Sequence, residues 1–191
     1  MFEDIDFILA SNSPRRRQLL EQMGIKYRLA ESDCDEVCPP ELQREQIPVY
    51  LSSLKSEACR VAMTSRSLLI TADTLVCLDN LALGKPHDAK QASDMLRMIS
   101  GKTHDVITGV TLRDRSHQKS FYSVTKVTFS HLSDEEIEHY ISVCKPFDKA
   151  GAYGIQEWIG IIGVNRIEGC FYNVMGLPVS LLYQEIKQWN F

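Results

Sequence analysis

The feature that most constrains the fold of this chain is an apolar segment near its start that runs into a polar turn and then a basic helix. Residues 7–10 read FILA, residues 11–14 read SNSP, and Arg15, Arg16 and Arg17 follow before an apolar helical pattern begins. The pattern predicts a strand, a turn and a helix that has proline at its first position.

The same turn is a candidate anion site. Backbone N–H groups, the positive end of a helix dipole and guanidinium groups would meet there, which suits phosphate. The alternative is an ordinary capped helix with a solvated basic first turn. The position of the arginines favours the anion site. Cations are unfavourable at the positive end of a helix dipole, and a bound anion would offset that cost.

Composition excludes several classes of protein. The 191 residues are 44% hydrophobic and 24% charged, so we predict one domain that spans residues 1–191. A net charge of -4 argues against a general nucleic-acid partner. The acidic start and the absence of a long apolar run predict a cytoplasmic protein with no membrane partner. The six cysteines include no CxxC pair, which argues against a zinc site.

Helical and strand-like segments alternate along the chain. Helical patterns lie at residues 15–23, 49–63, 88–99, 133–144 and 177–189, and strand patterns at 7–10, 25–30, 68–78, 105–112 and 121–129. The glycine-rich segment 150–176 predicts short strands. This order predicts an α/β (α+β) fold with a central mixed sheet, partly antiparallel, flanked by helices.

Asp73 interrupts the most strand-like segment of the chain, residues 68–78. A buried carboxylate is costly unless it is paired or binds a cation, so Asp73 is either a functional residue or a strand-end cap. Lys85 lies between Gly84 and Pro86, where a restrained backbone can aim its ammonium group. Pro86 excludes a phosphate-binding GxxxxGK[ST] loop, and GxGxxG and GxSxG motifs are absent.

Six short motifs occur in a fixed order along nearly the whole chain. They are LASNSPRR (9–16), ADT (72–74), GKP (84–86), SGKTH (100–104), DKAGAYGIQ (148–156) and VMGLP (174–178). Together they resemble the Maf family of nucleoside triphosphate pyrophosphatases. The resemblance implies a Maf/ITPase-like fold with two lobes around a cleft. It also implies hydrolysis between the α and β phosphates, which yields a monophosphate and pyrophosphate.

The resemblance assigns roles to the charged residues. Asp73 would orient and deprotonate the attacking water, and Glu36 with Asp73 would hold a divalent cation, Mg²⁺ or Mn²⁺. The substrate-binding positions are Ser11, Ser13, Arg15, Arg16, Lys55, Thr74, Lys85 and Gln156. Read without the resemblance, Ser11 and Ser13 are equally well turn or N-cap residues, and Lys55 is a solvated residue of a helix face.

Gln156 suggests which base is bound. Its carboxamide offers a donor beside an acceptor, which complements the N3–H and C4=O edge of uracil and thymine. The sister subgroup that resembles 7-methyl-GTP pyrophosphatases has an aromatic residue, glutamine and glutamate where this chain has Arg15, Thr74 and Gln156. The chain therefore resembles the dTTP/UTP subgroup. Glu157 and Trp158 depart from the small residues more usual there, and the indole would narrow the cleft or pack at a subunit contact.

Two functions of different class follow from the resemblance. The first is a house-cleaning enzyme that removes dTTP, UTP and modified pyrimidine triphosphates, and the second is a nucleotide-binding regulator of septum formation. A 7-methyl-GTP-type pyrophosphatase is a further alternative. The resemblance and the apolar carboxy-terminal region also predict a homodimer. Lys102 and Lys149 have no assigned role, and His104 is read as a structural hydrogen-bonding residue.

Overall fold

The computed structural model describes residues 2–191 and gives this described part seven strands and seven α-helices. The strands are β1 (Asp6–Ala10), β2 (Tyr27–Ala30), β3 (Ser67–Leu78), β4 (Leu81–Leu83), β5 (Thr103–Arg113), β6 (Gln118–Phe129) and β7 (Val164–Glu168). The helices are α1 (Pro14–Gln22), α2 (Gln46–Ala58), α3 (Ala89–Ile99), α4 (Asp134–Cys144), α5 (Trp158–Gly163), α6 (Phe171–Val174) and α7 (Val179–Lys187), with a 3-10 turn at Ala150–Ala152.

The strands form one sheet in the order β2-β1-β3-β5-β6-β7, and β4 pairs with β3. Strand β1 is parallel to both β2 and β3, whereas β3 and β4, and β6 and β7, are antiparallel. The neighbours β5 and β6 are joined by residues 114–117 alone, so they also run antiparallel, because parallel neighbours need a much longer crossover. The predicted mixed α/β sheet flanked by helices is confirmed.

Strand β1 is buried along nearly its whole length. Residues Phe7 to Ala10 are at most 2% exposed, which explains the unbroken apolar run FILA, since a central parallel strand is covered on both faces. After α1 the chain turns at Gly24, where φ is +72°, and the Ile25 N–H donates to the Leu20 carbonyl at 3.0 Å. This helix cap uses residues 23–25, so β2 begins later than predicted.

The segment 150–176 departs most from the prediction. Instead of several short strands it holds a 3-10 turn, two short helices and the single strand β7, so that prediction is wrong. One of its glycines serves close packing: a Cβ on Gly160 would lie 2.0 Å from the Ile155 carbonyl oxygen. Helix α5 can therefore begin directly against the preceding turn. Ser133 and Glu136 are spaced as a capping box at the start of α4, and the structure has it.

The chain divides into two compact units. The first unit holds the described residues through Asp73 together with Thr108–Ser123 and Gly176–Phe191, and the second holds Thr74–Ile107 and Val124–Met175. Each has its own buried apolar core. Ile8, Leu20, Ile70, Leu112 and Leu182 lie in the first core, and Leu96, Ile107, Phe129, Ile137 and Ile159 in the second. The single domain over residues 1–191 and the cleft stay predictions.

None of the helices in residues 2–191 combines the length and hydropathy needed to cross a membrane.

Candidate active site

The turn between β1 and α1, residues 11–16, is organised around the Ser11 hydroxyl. Its oxygen accepts hydrogen bonds from the Ser13 N–H at 3.2 Å and from Arg16 Nη1 at 3.3 Å. Ser13 occupies the N-cap position in an extended conformation, but its side chain makes no capping hydrogen bond. Pro14 takes the first helical position, as predicted. We call residues 11–16 the anion turn.

Arg16 is held firmly within this turn. Its Nε donates to the carbonyl oxygen of Gly176 at 2.8 Å, which ties α1 to the segment that precedes α7. Burial lowers the pKa of Arg16, whereas the nearby charge of Asp73 raises it, and Arg15 and Glu36 have smaller effects. A guanidinium nevertheless remains charged in proteins. Because their charges act on Arg16, the side chains of Arg15, Asp73 and Glu36 lie in its neighbourhood.

Lys55 joins the two predicted acidic residues. Its Nζ lies 2.6 Å from Asp73 Oδ1 and 3.1 Å from Glu36 Oε1. The side chains of Lys55 and Asp73 are only 13% and 15% exposed, whereas Glu36 is 48% exposed. The reading of Lys55 as a solvated helix-face residue is therefore wrong. Asp73 is also no strand-end cap, because β3 continues to Leu78.

The acidic pair suits Mg²⁺ or Mn²⁺ by its donor chemistry. Asp73 and Glu36 converge on one ammonium nitrogen, so carboxylate oxygens of both are directed to one place. Among residues 2–191, no group of three or more His, Cys, Asp or Glu side chains is arranged as metal ligands. Mg²⁺ usually binds through one or two carboxylates, with water and substrate phosphates completing its shell. The pair fits that pattern, and the structure does not itself show a metal.

The remaining predicted residues, Thr74, Lys85 and Gln156, belong to the second unit. Thr74 is half-buried in β3 directly after Asp73, and consecutive strand residues point to opposite faces of a sheet. Lys85 is exposed, and the carbonyl of its neighbour Gly84 accepts a hydrogen bond from the Gly151 N–H at 3.0 Å. Gln156 is exposed on a tight turn.

Of the three residues discussed without a catalytic or binding role, His104 and Lys149 pack inside the second unit. His104 is buried and its Nε2 lies 2.8 Å from the Tyr153 hydroxyl oxygen, which agrees with the structural role predicted for it. Lys149 is buried and pairs with Asp148 at 2.7 Å and with Glu157 at 3.1 Å. Lys102 is exposed.

Two contacting residues escaped the sequence analysis. The Gly176 carbonyl oxygen accepts a hydrogen bond from Arg16 Nε. The VMGLP motif drew attention to this segment but did not indicate that contact. Tyr140 hydrogen-bonds the turn that carries Gln156, and nothing in its helical surroundings distinguishes it from a core residue. Trp158 is 37% exposed and packs edge-on against His139 with ring centroids 4.9 Å apart.

The structure is thus an α/β protein with a basic turn at a helix N-terminus and a lysine-paired aspartate on its mixed sheet, and such a turn has the charge and N–H donors that suit phosphate. The family model of the Maf-like protein matches residues 6–189, and the chain belongs to the Maf family. The predicted family and its Maf/ITPase-like fold are confirmed.

The chain is similar to curated proteins along nearly its whole length. It is 54% identical over 187 residues to the dTTP/UTP pyrophosphatase of Phocaeicola vulgatus, and the match covers 97% of each chain. It is 51% identical over 186 residues to the dTTP/UTP pyrophosphatase of Porphyromonas gingivalis, which covers 96% of this chain and 94% of that one. The Staphylococcus aureus Ham1 protein matches with a TM-score of 0.51 and 14% identity over 95% of this chain and 98% of that chain, which supports the fold alone.

Burial of His104 predicts a specific pH dependence of stability. Desolvation lowers the pKa of His104 from 6.5 to about 4, so the unfolded chain binds this proton more readily than the folded protein does. The free energy of unfolding should therefore fall by about 3 kcal/mol as the pH drops from 6.5 to 4. Urea unfolding at a series of pH values measures it. His104→Gln should lack this component, and the same pH dependence in both proteins would contradict the assignment.

Proposed function

We propose that the protein hydrolyses dTTP and UTP, together with modified pyrimidine triphosphates, to nucleoside monophosphates and pyrophosphate in a house-cleaning role. The observation that carries this proposal is the contact of Lys55 with Asp73 and Glu36 beside the anion turn. The dTTP/UTP pyrophosphatases of Phocaeicola vulgatus and Porphyromonas gingivalis, at about half identity, support the choice of substrate.

The anion turn would hold the phosphates. A triphosphate carries about four negative charges, and guanidinium groups donate to phosphate oxygens in pairs. Arg16 is held by Ser11 and Gly176, so it loses little conformational freedom when a phosphate binds. Arg15 and the N–H groups at the start of α1 add positive potential. Ser13 would donate its hydroxyl, Lys85 would add a point charge, and Thr74 would complete the substrate contacts.

Asp73 would activate water. A carboxylate within reach of the α phosphate can orient a water molecule and accept its proton as the new P–O bond forms and the α–β anhydride bond breaks. Lys55 pairs with this carboxylate at 2.6 Å in its largely buried position and lowers the cost of burying it. Pure binding of a polyanion gains nothing from such a carboxylate, so Asp73 favours an enzyme over a nucleotide-binding regulator.

Glu36 and Asp73 would hold Mg²⁺ or Mn²⁺. The cation supplies charge neutralisation for the leaving pyrophosphate. Lys55 then has a second task, because its ammonium contacts both carboxylates and offsets part of their charge, so a cation is held better once phosphate oxygens add negative charge. Binding of cation and nucleotide would therefore be mutually dependent.

Asp73→Asn should reduce pyrophosphate release from UTP about 10²–10⁴-fold, because the amide cannot accept the proton of the attacking water. Release is measured with Mg²⁺ present, and EDTA in place of Mg²⁺ should abolish it. Asp94→Asn, which changes an exposed carboxylate paired with Lys90 on α3, is the matched control and should retain wild-type activity. Equal turnover by wild type and Asp73→Asn would reject Asp73 as the base.

Gln156 would read the base through its carboxamide. A glutamate at this position only accepts hydrogen bonds, so it suits the adjacent donors of guanine and not the mixed edge of uracil or thymine. Gln156→Glu should depress UTP and dTTP turnover far more than GTP turnover. Steady-state kinetics over a nucleotide panel tests this, and a uniform loss for every nucleotide would count against edge reading.

The homodimer that the resemblance predicts would use strand β7. This strand lies at one end of the sheet, and its residues from Asn165 to Glu168 are exposed. Ile167 is 37% exposed between Arg166 and Glu168, which pair at 3.0 Å. If two copies pair antiparallel about Ile167, each Arg166 faces the other copy's Glu168 and the isoleucines meet. The exposed edge of β7 is then covered by β7 of the second copy, and opposite charges face each other across the pair.

Charge reversal tests this dimer. Arg166→Glu places like charges opposite each other and should shift the protein toward monomer in sedimentation velocity experiments. The double variant Arg166→Glu/Glu168→Arg restores opposite charges and should restore the dimer. Lys90→Glu changes an exposed cation elsewhere and controls for net charge. A dimer that persists in Arg166→Glu, or a monomeric wild type, would refute β7 pairing.

A further inference from the structure

The turn that presents Gln156 is closed at both of its ends. The Glu157 N–H donates to the Gly154 carbonyl at 2.9 Å, so Ile155 and Gln156 form the centre of a four-residue turn. Ile155 is 5% exposed and anchors the turn in the core of the second unit, while Gln156 is exposed. An exposed glutamine has three rotatable side-chain bonds, so its direction depends on how firmly the backbone beneath it is held.

One phenol links the first and last residues of this turn. The Gly154 N–H donates to the Tyr140 hydroxyl oxygen at 3.0 Å, and the Tyr140 hydroxyl donates to Glu157 Oε2. Tyr140 is fully buried on α4, which gives the link a fixed base. Burial and then the Glu157 carboxylate raise the pKa of Tyr140, so its hydroxyl remains a donor at neutral pH.

A buried lysine holds the other oxygen of the same carboxylate. Lys149 Nζ lies 3.1 Å from Glu157 Oε1 and 2.7 Å from Asp148 Oδ1, and the lysine side chain is only 9% exposed. A buried ammonium needs compensating charge, and Asp148 is 56% exposed to water while Glu157 is 24% exposed. Glu157 is therefore the better shielded of its two partners. We call Tyr140, Lys149 and Glu157 the turn brace.

Gly154 provides the space that the brace needs. A Cβ on Gly154 would lie 2.7 Å from the Glu157 carboxylate carbon and 3.1 Å from Gln156 Nε2. The carboxylate and the carboxamide therefore both fold over the same glycine. The backbone position of Gly154, which Tyr140 holds, therefore bears on where both side chains lie.

We infer that Glu157, through Tyr140 and Lys149, is a positioning residue that fixes the carboxamide of Gln156 for the uracil or thymine edge. This inference rests on the proposed function. Uracil and cytosine present donor and acceptor in opposite order, so a carboxamide that rotates freely can pair with either. A carboxamide held in one orientation favours one base and loses less entropy on binding. Glu157 itself does not contact the base and acts through the turn.

The test compares steady-state kinetics of Glu157→Gln and Tyr140→Phe with wild type for UTP and CTP. Tyr140→Phe removes both hydrogen bonds of the phenol, Glu157→Gln removes the charge that pairs with Lys149, and both keep the shape of the side chain. We expect KM for UTP to rise about tenfold while kcat stays within about twofold, because binding is weakened and water activation is not. The preference for UTP over CTP should fall by a similar factor. The double variant should add little to either single change, because both break one connection.

Thr125→Val is the matched control. Thr125 is buried in the same unit and hydrogen-bonds the Cys170 N–H at 3.0 Å and its carbonyl at 3.1 Å. Loss of the Thr125 hydroxyl removes buried hydrogen bonds, as the brace variants do, and so destabilises the unit without changing the turn brace. It should lower the free energy of unfolding and leave the KM for UTP and the base preference unchanged.

The outcomes are distinguishable. Brace variants that lose stability but keep the wild-type KM and UTP preference would show a structural brace only and overturn the inference. Calorimetric binding of UMP and hydrogen exchange of the Gly154 and Gln156 amides give a readout besides turnover, and we expect weaker binding with faster exchange. A wild type that neither hydrolyses UTP nor binds UMP would overturn the proposed function, and this inference with it.

Discussion

The contact of Lys55 with Asp73 is the interaction on which the candidate site depends. A carboxylate within a central strand is stable only with a compensating cation, and α2 supplies one at 2.6 Å. The same ammonium reaches Glu36 at 3.1 Å, so two acidic groups are gathered in a region that also contains Arg16. Under the proposed function, the cations of this region would bind the polyphosphate and the carboxylate would activate water, and binding alone would not require the carboxylate.

Each unit contains a mostly buried lysine that contacts two carboxylates. Lys55 in the first unit and Lys149 in the second are mostly buried, at 13% and 9% side-chain exposure, and each contacts two carboxylates. A buried ion pair contributes little net stability and is costly to break, so its main effect is to fix geometry. In the first unit the geometry concerns Asp73, and in the second it concerns the turn that carries Gln156. Under the proposed function, chemistry and base selection would rest on equivalent constraints.

Local patterns predicted the elements that carry the site. The run FILA, the Ser13–Pro14 helix start and the α4 capping box are short-range signals, and the structure has all three. Of the strands predicted for residues 150–176 only β7 is present, because glycines such as Gly160, whose Cβ would lie 2.0 Å from the Ile155 carbonyl oxygen, serve close packing of turns and short helices there. The Lys55–Asp73 pair joins residues 18 apart on different elements, so periodicity could not indicate it, and the resemblance assigned each residue to the site without pairing the two.

Hydrolysis of UTP in H₂¹⁸O tests the central claim most directly, because it reports which phosphorus the water attacks. Attack at the α phosphorus, with Asp73 as the base, places the heavy oxygen in UMP and leaves the pyrophosphate unlabelled. We predict this result by mass spectrometry of the two products. Heavy oxygen in pyrophosphate, or UDP and inorganic phosphate as the products, would contradict the arrangement of the anion turn around Asp73 proposed above.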